Sequence, residues 1–191
     1  MAGEFEKNIV RYVIDMTGWS LAKTPDWLMR PGKAECGPNW PLVKAIYRDL
    51  TELELPDAMP SRERRKIDAV FVDSKGQKRL FEVDEVQHFN SFRATTLEHY
   101  PADLLVAFDR AKWMSASRSK NKLEGGGFAR PCAPLFPMDG GRHRQRAFRD
   151  ALADILPPHY GFLPTLRFAH FDIHGPLVRR KVEVALAEKL S

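Results

Sequence analysis

Three carboxylates, Asp68, Glu82 and Asp84, stand where two neighbouring strands would bring them onto one face. Glu82 and Asp84 are two residues apart, so on a β-strand they project the same way, about 7 Å from each other. Residues directly opposite on paired strands approach to roughly 5 Å at Cβ, which adds Asp68 to the group if the two segments form a hairpin. Like charges this close repel, and a bound divalent cation relieves the repulsion. Hard oxygen ligands in this number suit Mg²⁺ or Mn²⁺, ions that also bind substrate phosphates. The flanking Lys66, Lys78 and Arg79 fit a second, plainer role for the same acids as solvated charges on an outer face.

The hairpin itself is legible. Residues 66–73 and 78–84 read as strands around Ser74-Lys75-Gly76, a three-residue loop with glycine at its last position, where the backbone turns left-handed. That turn pairs Asp73 with Gln77, sets Asp68 across from Glu82, and Lys66 across from Asp84. Ile67, Ala69, Phe71, Phe81 and Val83 then form an apolar face, while Asp68, Val70, Val72, Leu80, Glu82 and Asp84 form the other. A slip of one residue would put the carboxylates on different faces. His88 keeps the parity of Glu82 and Asp84 if the strand runs on that far. Gln87 points the opposite way unless a bulge intervenes.

The elements around the hairpin follow from apolar periodicity. Residues 4–16 carry Phe5, Ile9, Val10, Val13 and Ile14 at helical spacing. A second helix starts at Asn39 with Pro41 in its first turn and Leu42, Val43, Ile46, Leu50 and Leu53 on one face. Residues 90–99 read as a short helix or loop, 103–122 as mostly helical, and 142–156 as a basic helix stopped by Pro157-Pro158. Residues 165–173 read as a strand and 176–190 as a closing helix. No convincing strand is visible ahead of residue 66. The order α-α-β-β-α-α-β-α implies an α/β (α+β) domain with one mixed sheet. At 191 residues the chain fits one domain over 1–191, with 1–38 as an N-terminal helical extension.

Charge is unevenly spread. Residues 1–60 carry 7 basic and 9 acidic side chains, whereas residues 110–149 carry ten basic ones against Glu124 and Asp139. Such a cluster attracts polyanions, and neutralisation of phosphates by Lys and Arg is the main source of nucleic-acid affinity. The longest apolar run, Leu104–Phe108, is far too short to cross a bilayer. No signal peptide is visible at the N-terminus, and two cysteines, Cys36 and Cys132, make no disulfide framework. A cytoplasmic protein with no membrane association is expected.

Arg65-Lys66-Ile67-Asp68-Ala69-Val70-Phe71, followed by Phe81-Glu82-Val83-Asp84-Glu85-Val86-Gln87-His88-Phe89, resembles the PD-(D/E)XK, or restriction-endonuclease-like, nuclease superfamily. It is most similar to the small members related to very-short-patch repair endonucleases, over roughly residues 40–123. The resemblance implies a restriction-endonuclease-like core, a mixed sheet flanked by helices, whose catalytic hairpin presents acids to one or two metal ions. It implies Asp68, Glu82 and Asp84 as catalytic and metal-site acids and His88 as the family's histidine. Asp84 stands where the family's lysine would, and Glu85 replaces a small glycine. An alternative register, Glu85-Val86-Gln87, matches a Glu-x-Gln variant and brings Gln87 into the site. The implied activity is Mg²⁺- or Mn²⁺-dependent hydrolysis of phosphodiester bonds in DNA, in repair, restriction or defence. Lys66, Lys112 or His88 would stand in for the missing lysine. Lys66, Arg93, Arg110 and Lys112, with Arg142, Arg144, Arg146 and Arg149 of the basic helix, are the residues expected to meet nucleic acid. The rival readings are a nuclease fold that binds nucleic acid without cleaving it, and a basic domain that binds a protein.

Other signals are weaker. The six histidines lack zinc-motif spacing. Gly125-Gly126-Gly127 lacks the Lys-Ser/Thr of a phosphate-binding loop. Cys36 reads as an inert thiol, and Trp19, Trp27, Trp40 and Trp113 read as packing residues.

Overall fold

Alternation in the hairpin decides the layers. In a computed structural model that describes residues 3–61, 65–119 and 129–190, β2 (Ala69–Val72) and β3 (Lys78–Asp84) pair antiparallel, Ala69 with Phe81 and Val72 with Lys78. This is the register expected from the turn. Gly76 sits at φ 79°, and the Asp73 amide donates to the Gln77 carbonyl at 3.0 Å. The first strand is shorter than the sequence suggests: the chain reaches ladder geometry at Ala69, one residue beyond Asp68.

Two more strands complete a four-stranded mixed sheet in the order β1-β2-β3-β4. β1 (Ser20–Leu21) pairs antiparallel with β2, and β4 (Leu163–Ala169) runs parallel to β3 with Glu82 beside Arg167. β1 is the strand absent from the sequence reading; two exposed residues carry no periodicity to detect. β4 starts two residues earlier than expected and stops at Ala169, after which α8 (His170–Ile173) turns the chain.

The apolar face of the sheet packs on α1 (Glu4–Thr17) and α9 (Val178–Leu190). Ile9 and Val13 of α1 and Val182 and Leu186 of α9 meet Phe71, Phe81, Leu166 and Phe168. Of the N-terminal residues, α1 covers the apolar face of the sheet and β1 forms its edge strand. After the single turns α2 (Asp26–Met29) and α3 (Lys33–Cys36), α4 (Trp40–Thr51) opens the second layer. It joins α5 (Ser91–Glu98), α6 (Arg110–Arg118) and α7 (Gly141–Ile155) around Tyr47, Trp113, Phe136 and Phe148. Asn90 and Asp109 cap α5 and α6 by accepting from the amides of Arg93 and Lys112. α7 lies over the polar face of the sheet, and this placement governs the site. The Glu124–Gly127 segment, Lys120 and Lys122 lie outside the described residues. No helix among the described residues is long and apolar enough to cross a membrane.

Candidate active site

A cleft of about 750 Å³ opens between the Asp68–Glu82 end of the hairpin and α7. Its acidic wall carries Asp68, Glu82, Glu85 and Glu6 of α1. Its basic wall carries Arg142, Arg146 and Arg149, spaced so that one stripe of α7 faces the hairpin. Lys66, Arg65 and His88 also line the cleft.

Asp68 stands just outside the ladder, and its Oδ2 accepts the Val83 amide at 2.8 Å. Although the residue keeps solvent contact, its carboxyl is lodged against the cleft wall. Burial and then the Glu82 charge push it up to about 7, against the pull of the Val83 amide and His88. Glu85 is raised as well, by burial and by a carboxyl–carboxyl hydrogen bond with Glu6. Glu82 is buried, and the Arg65 Nη2 donates to its Oε1 at 2.9 Å.

Asp84 departs from the expected trio. It points along the same face as Glu82 but is covered, 1% exposed, and does not line the cleft. The Arg167 guanidinium donates to its Oδ1 at 2.5 Å and the Trp113 indole to its Oδ2 at 2.7 Å. Arg167 is wholly buried; its Nε also donates to Asp154 at 2.7 Å and its Nη2 to the Asp150 carbonyl at 3.1 Å. Asp154 accepts in addition from Arg93 and Tyr100, each at 2.7 Å. Burial opposes the charge on both arginines, yet Asp154, Asp84 and Asp150 hold Arg167, and Tyr100 with Asp154 holds Arg93, above the ordinary arginine range.

After β3 the chain turns sharply at 86–88 rather than continuing as a strand. The turn, not strand parity, aims His88 at the site. Its Nδ1 faces Asp150 Oδ2 at 2.8 Å, and its Nε2 lies 2.8 Å from Arg146 Nη1. A guanidinium only donates, so in the neutral ring the proton sits on Nδ1. Burial and Arg146 oppose a second proton, but Asp150 and Asp84 outweigh them and raise the histidine. Burial resists the charge on Asp150 as well; His88 and Arg167 hold it well below the usual carboxylate range. Gln87 donates to Glu85 at the rim of this turn.

The expected nucleic-acid contacts divide. Arg142, Arg146, Arg149 and Lys66 line the cleft. Arg93 does not: it is 1% exposed and committed to Asp154, Tyr100 and Thr96. Arg110 is spent on the carbonyls of Tyr100 and Pro101, and Lys112 pairs with Asp172 at 2.6 Å away from the cleft. Arg144, on the far side of α7, stacks on Phe92 and donates to the Leu50 carbonyl. The sequence reading missed Arg65, Asp150, Asp154 and Arg167. One signal was available: an arginine between Leu166 and Phe168 in a buried strand requires acids, and Asp150 and Asp154 stand one turn apart on an otherwise basic helix.

Glu82, Asp84, His88 and Asp150 place ligand atoms within 4.8 Å of one another, and this buried group could hold a metal ion. In the structure its negative charge is met by guanidinium groups: Arg167 contacts Asp84 and lies 3.6 Å from the Asp150 carboxylate, and Arg65 contacts Glu82. A cation at the centre of that group would displace Arg167. On the cleft side of Glu82, Asp68 forms no ion pair among the described residues and lines open space, so the donor chemistry there fits a hard divalent ion.

No protein-family model, no curated protein and no solved structure matches the chain.

Proposed function

We propose that the chain is a metal-dependent endonuclease that hydrolyses phosphodiester bonds in DNA, as its resemblance to PD-(D/E)XK nucleases implies. The observation that carries this reading is the cleft, in which Asp68 and Glu82 face a stripe of three arginines across a space of nucleotide dimensions. Asp68 and Glu82 would hold Mg²⁺ or Mn²⁺. When bound, such an ion lowers the pKa of a coordinated water and offsets charge on the scissile phosphate.

The protein's own groups have separate tasks. Asp68, whose carboxyl burial and the Glu82 charge push up to about 7, would give up its proton on holding the ion with Glu82. Arg142, Arg146 and Arg149 receive the phosphate backbone, and Lys66 adds an exposed cation on the cleft wall. Asp84 acts from behind: through Arg167 and Trp113 it fixes the end of β3 that carries Glu82. His88 links α7 to the hairpin through Asp150 and Arg146.

Incubation of supercoiled plasmid with Mg²⁺, Mn²⁺ or EDTA tests the reading. Metal-dependent nicking is expected, with loss in Asp68→Asn. Undiminished nicking by that variant removes Asp68 from the mechanism. A specific observation favours a second reading: Arg167 already neutralises the buried acid group, as suits a nuclease fold that binds nucleic acid without cleaving it. That reading expects DNA binding with no calorimetric signal for Mg²⁺ or Mn²⁺.

A further inference from the structure

Arg65 is 4% exposed, yet only one of its guanidinium nitrogens is used. Nη2 donates to Glu82, while Nε and Nη1 are buried and have no hydrogen-bond partner among the described residues. The position is not slack, because the Arg65 amide donates to the Met29 carbonyl at 3.1 Å. Guanidinium is always charged and carries five donors in a rigid fork, and donors left unsatisfied in a buried site are costly. Folded proteins rarely retain such groups unless something else pairs with them.

The surroundings identify that partner as an anion. Arg65 lines the cleft with Lys66, Arg142, Arg146 and Arg149, and its one carboxylate neighbour, Glu82, is already engaged. No cation comes from β3 itself beside Glu82, since Asp84 is turned inward to Arg167 and Trp113. Among the described residues Arg65 is the one cation hydrogen-bonded to Glu82, with Arg167 3.9 Å from the other carboxylate oxygen, and Arg65 retains free donors.

We propose that Arg65 is an anion-binding residue of the cleft, receiving a non-bridging phosphoryl oxygen next to Glu82 while its Nη2 stays on the carboxylate. The identity of the anion as a backbone phosphate rests on the nuclease reading; the anion site does not. Arginine recognises phosphate by directed donors, which lysine cannot reproduce at a fixed position.

Arg65→Lys is the discriminating variant, because it keeps a cation on Glu82 and removes the additional donors. Binding of a short fluorescent DNA duplex in EDTA is followed by anisotropy, with displacement by inorganic phosphate as a second arm. The wild-type protein is expected to bind and Arg65→Lys to bind about tenfold more weakly, the ratio for loss of one charge-assisted hydrogen bond. Melting temperatures of the two should agree within a few degrees. If Arg65→Lys fails to fold, Arg65→Gln/Glu82→Gln removes both charges of the buried pair and should show the same loss. Wild-type affinity in whichever variant folds, or a wild-type protein that binds neither duplex nor phosphate, overturns the proposal. Arg65-dependent binding of phosphate alone supports the site with free phosphate as its ligand. Arg65-dependent duplex binding without cleavage under any metal supports the site while refuting the nuclease reading. Cleavage that is equal in wild type and Arg65→Lys, with equal binding, does the reverse.

Discussion

Arg167→Met should destabilise the protein more than any single change on the outer wall of the cleft. The side chain is wholly buried and contacts Asp84 at 2.5 Å, Asp154 at 2.7 Å and the Asp150 carbonyl at 3.1 Å. Removing one partner of a buried ion pair costs about 3–5 kcal/mol, because the carboxylate left behind is desolvated and uncompensated. Asp154 keeps Arg93 and Tyr100, whereas Asp84 keeps one hydrogen bond, from the Trp113 indole, with His88 Nδ1 3.5 Å away and no guanidinium. The loss is therefore that of one orphaned carboxylate, Asp84, rather than two. Against a total stability on the order of 5–15 kcal/mol, it is a large fraction. A chain of this size loses about 2–4 °C per kcal/mol, so the melting temperature should fall by about 6–20 °C. Circular dichroism melts and urea titrations at pH 7 read both quantities. The deficit should narrow as pH falls, because an orphaned buried carboxyl is protonated at higher pH than one beside a guanidinium. Arg167→Met/Asp84→Asn should recover at least about 1 kcal/mol relative to additivity. A loss below about 1 kcal/mol in the single variant, or strict additivity in the double, would refute the view that Arg167 is the counter-charge of Asp84.

Two other perturbations test the cleft walls. The Asp68 carboxyl rises from 3.8 to about 7 on folding, so the folded chain holds a proton that the unfolded chain has released between these values. Stability from this group is present below the lower value and falls as pH rises, levelling off above about 7. Asp68→Asn should match wild type near pH 4 and exceed it at pH 8 in urea midpoint; a difference that does not change with pH rejects the shift. Gly141 opens α7, and a Cβ there would meet the Phe136 carbonyl oxygen and lie 2.8 Å from the Cys132 amide nitrogen. Gly141→Ala should cost about 1–3 kcal/mol by overpacking and weaken duplex binding by shifting the arginine stripe. Unchanged binding alongside the stability loss would separate the start of α7 from the stripe.

The hairpin register was readable from sequence because it is local: a glycine at the left-handed turn position and strict alternation on both arms set which side chains oppose which. The same locality explains why the cores of α1 and α4 were readable from apolar spacing, and why α7 was readable as a basic helix ending at Pro157. The two residues of β1 were not, since only pairing with β2 makes them a strand. Nor did the basic run 110–149 show that Arg142, Arg146 and Arg149 share a cleft while Arg110 and Lys112 are spent elsewhere. That division depends on where α6 and α7 each pack and on the rotation of α7 over the sheet, which are set by tertiary contacts.

Sequence placed Glu82 and Asp84 on one face, and they are on one face. Tertiary structure made them different: Glu82 reaches the cleft, whereas Asp84 is sealed behind it by Arg167, more than eighty residues later in the chain. Strand alternation fixes the direction of a side chain. What it meets there, solvent and substrate or a buried guanidinium, depends on which strand and helix pack alongside.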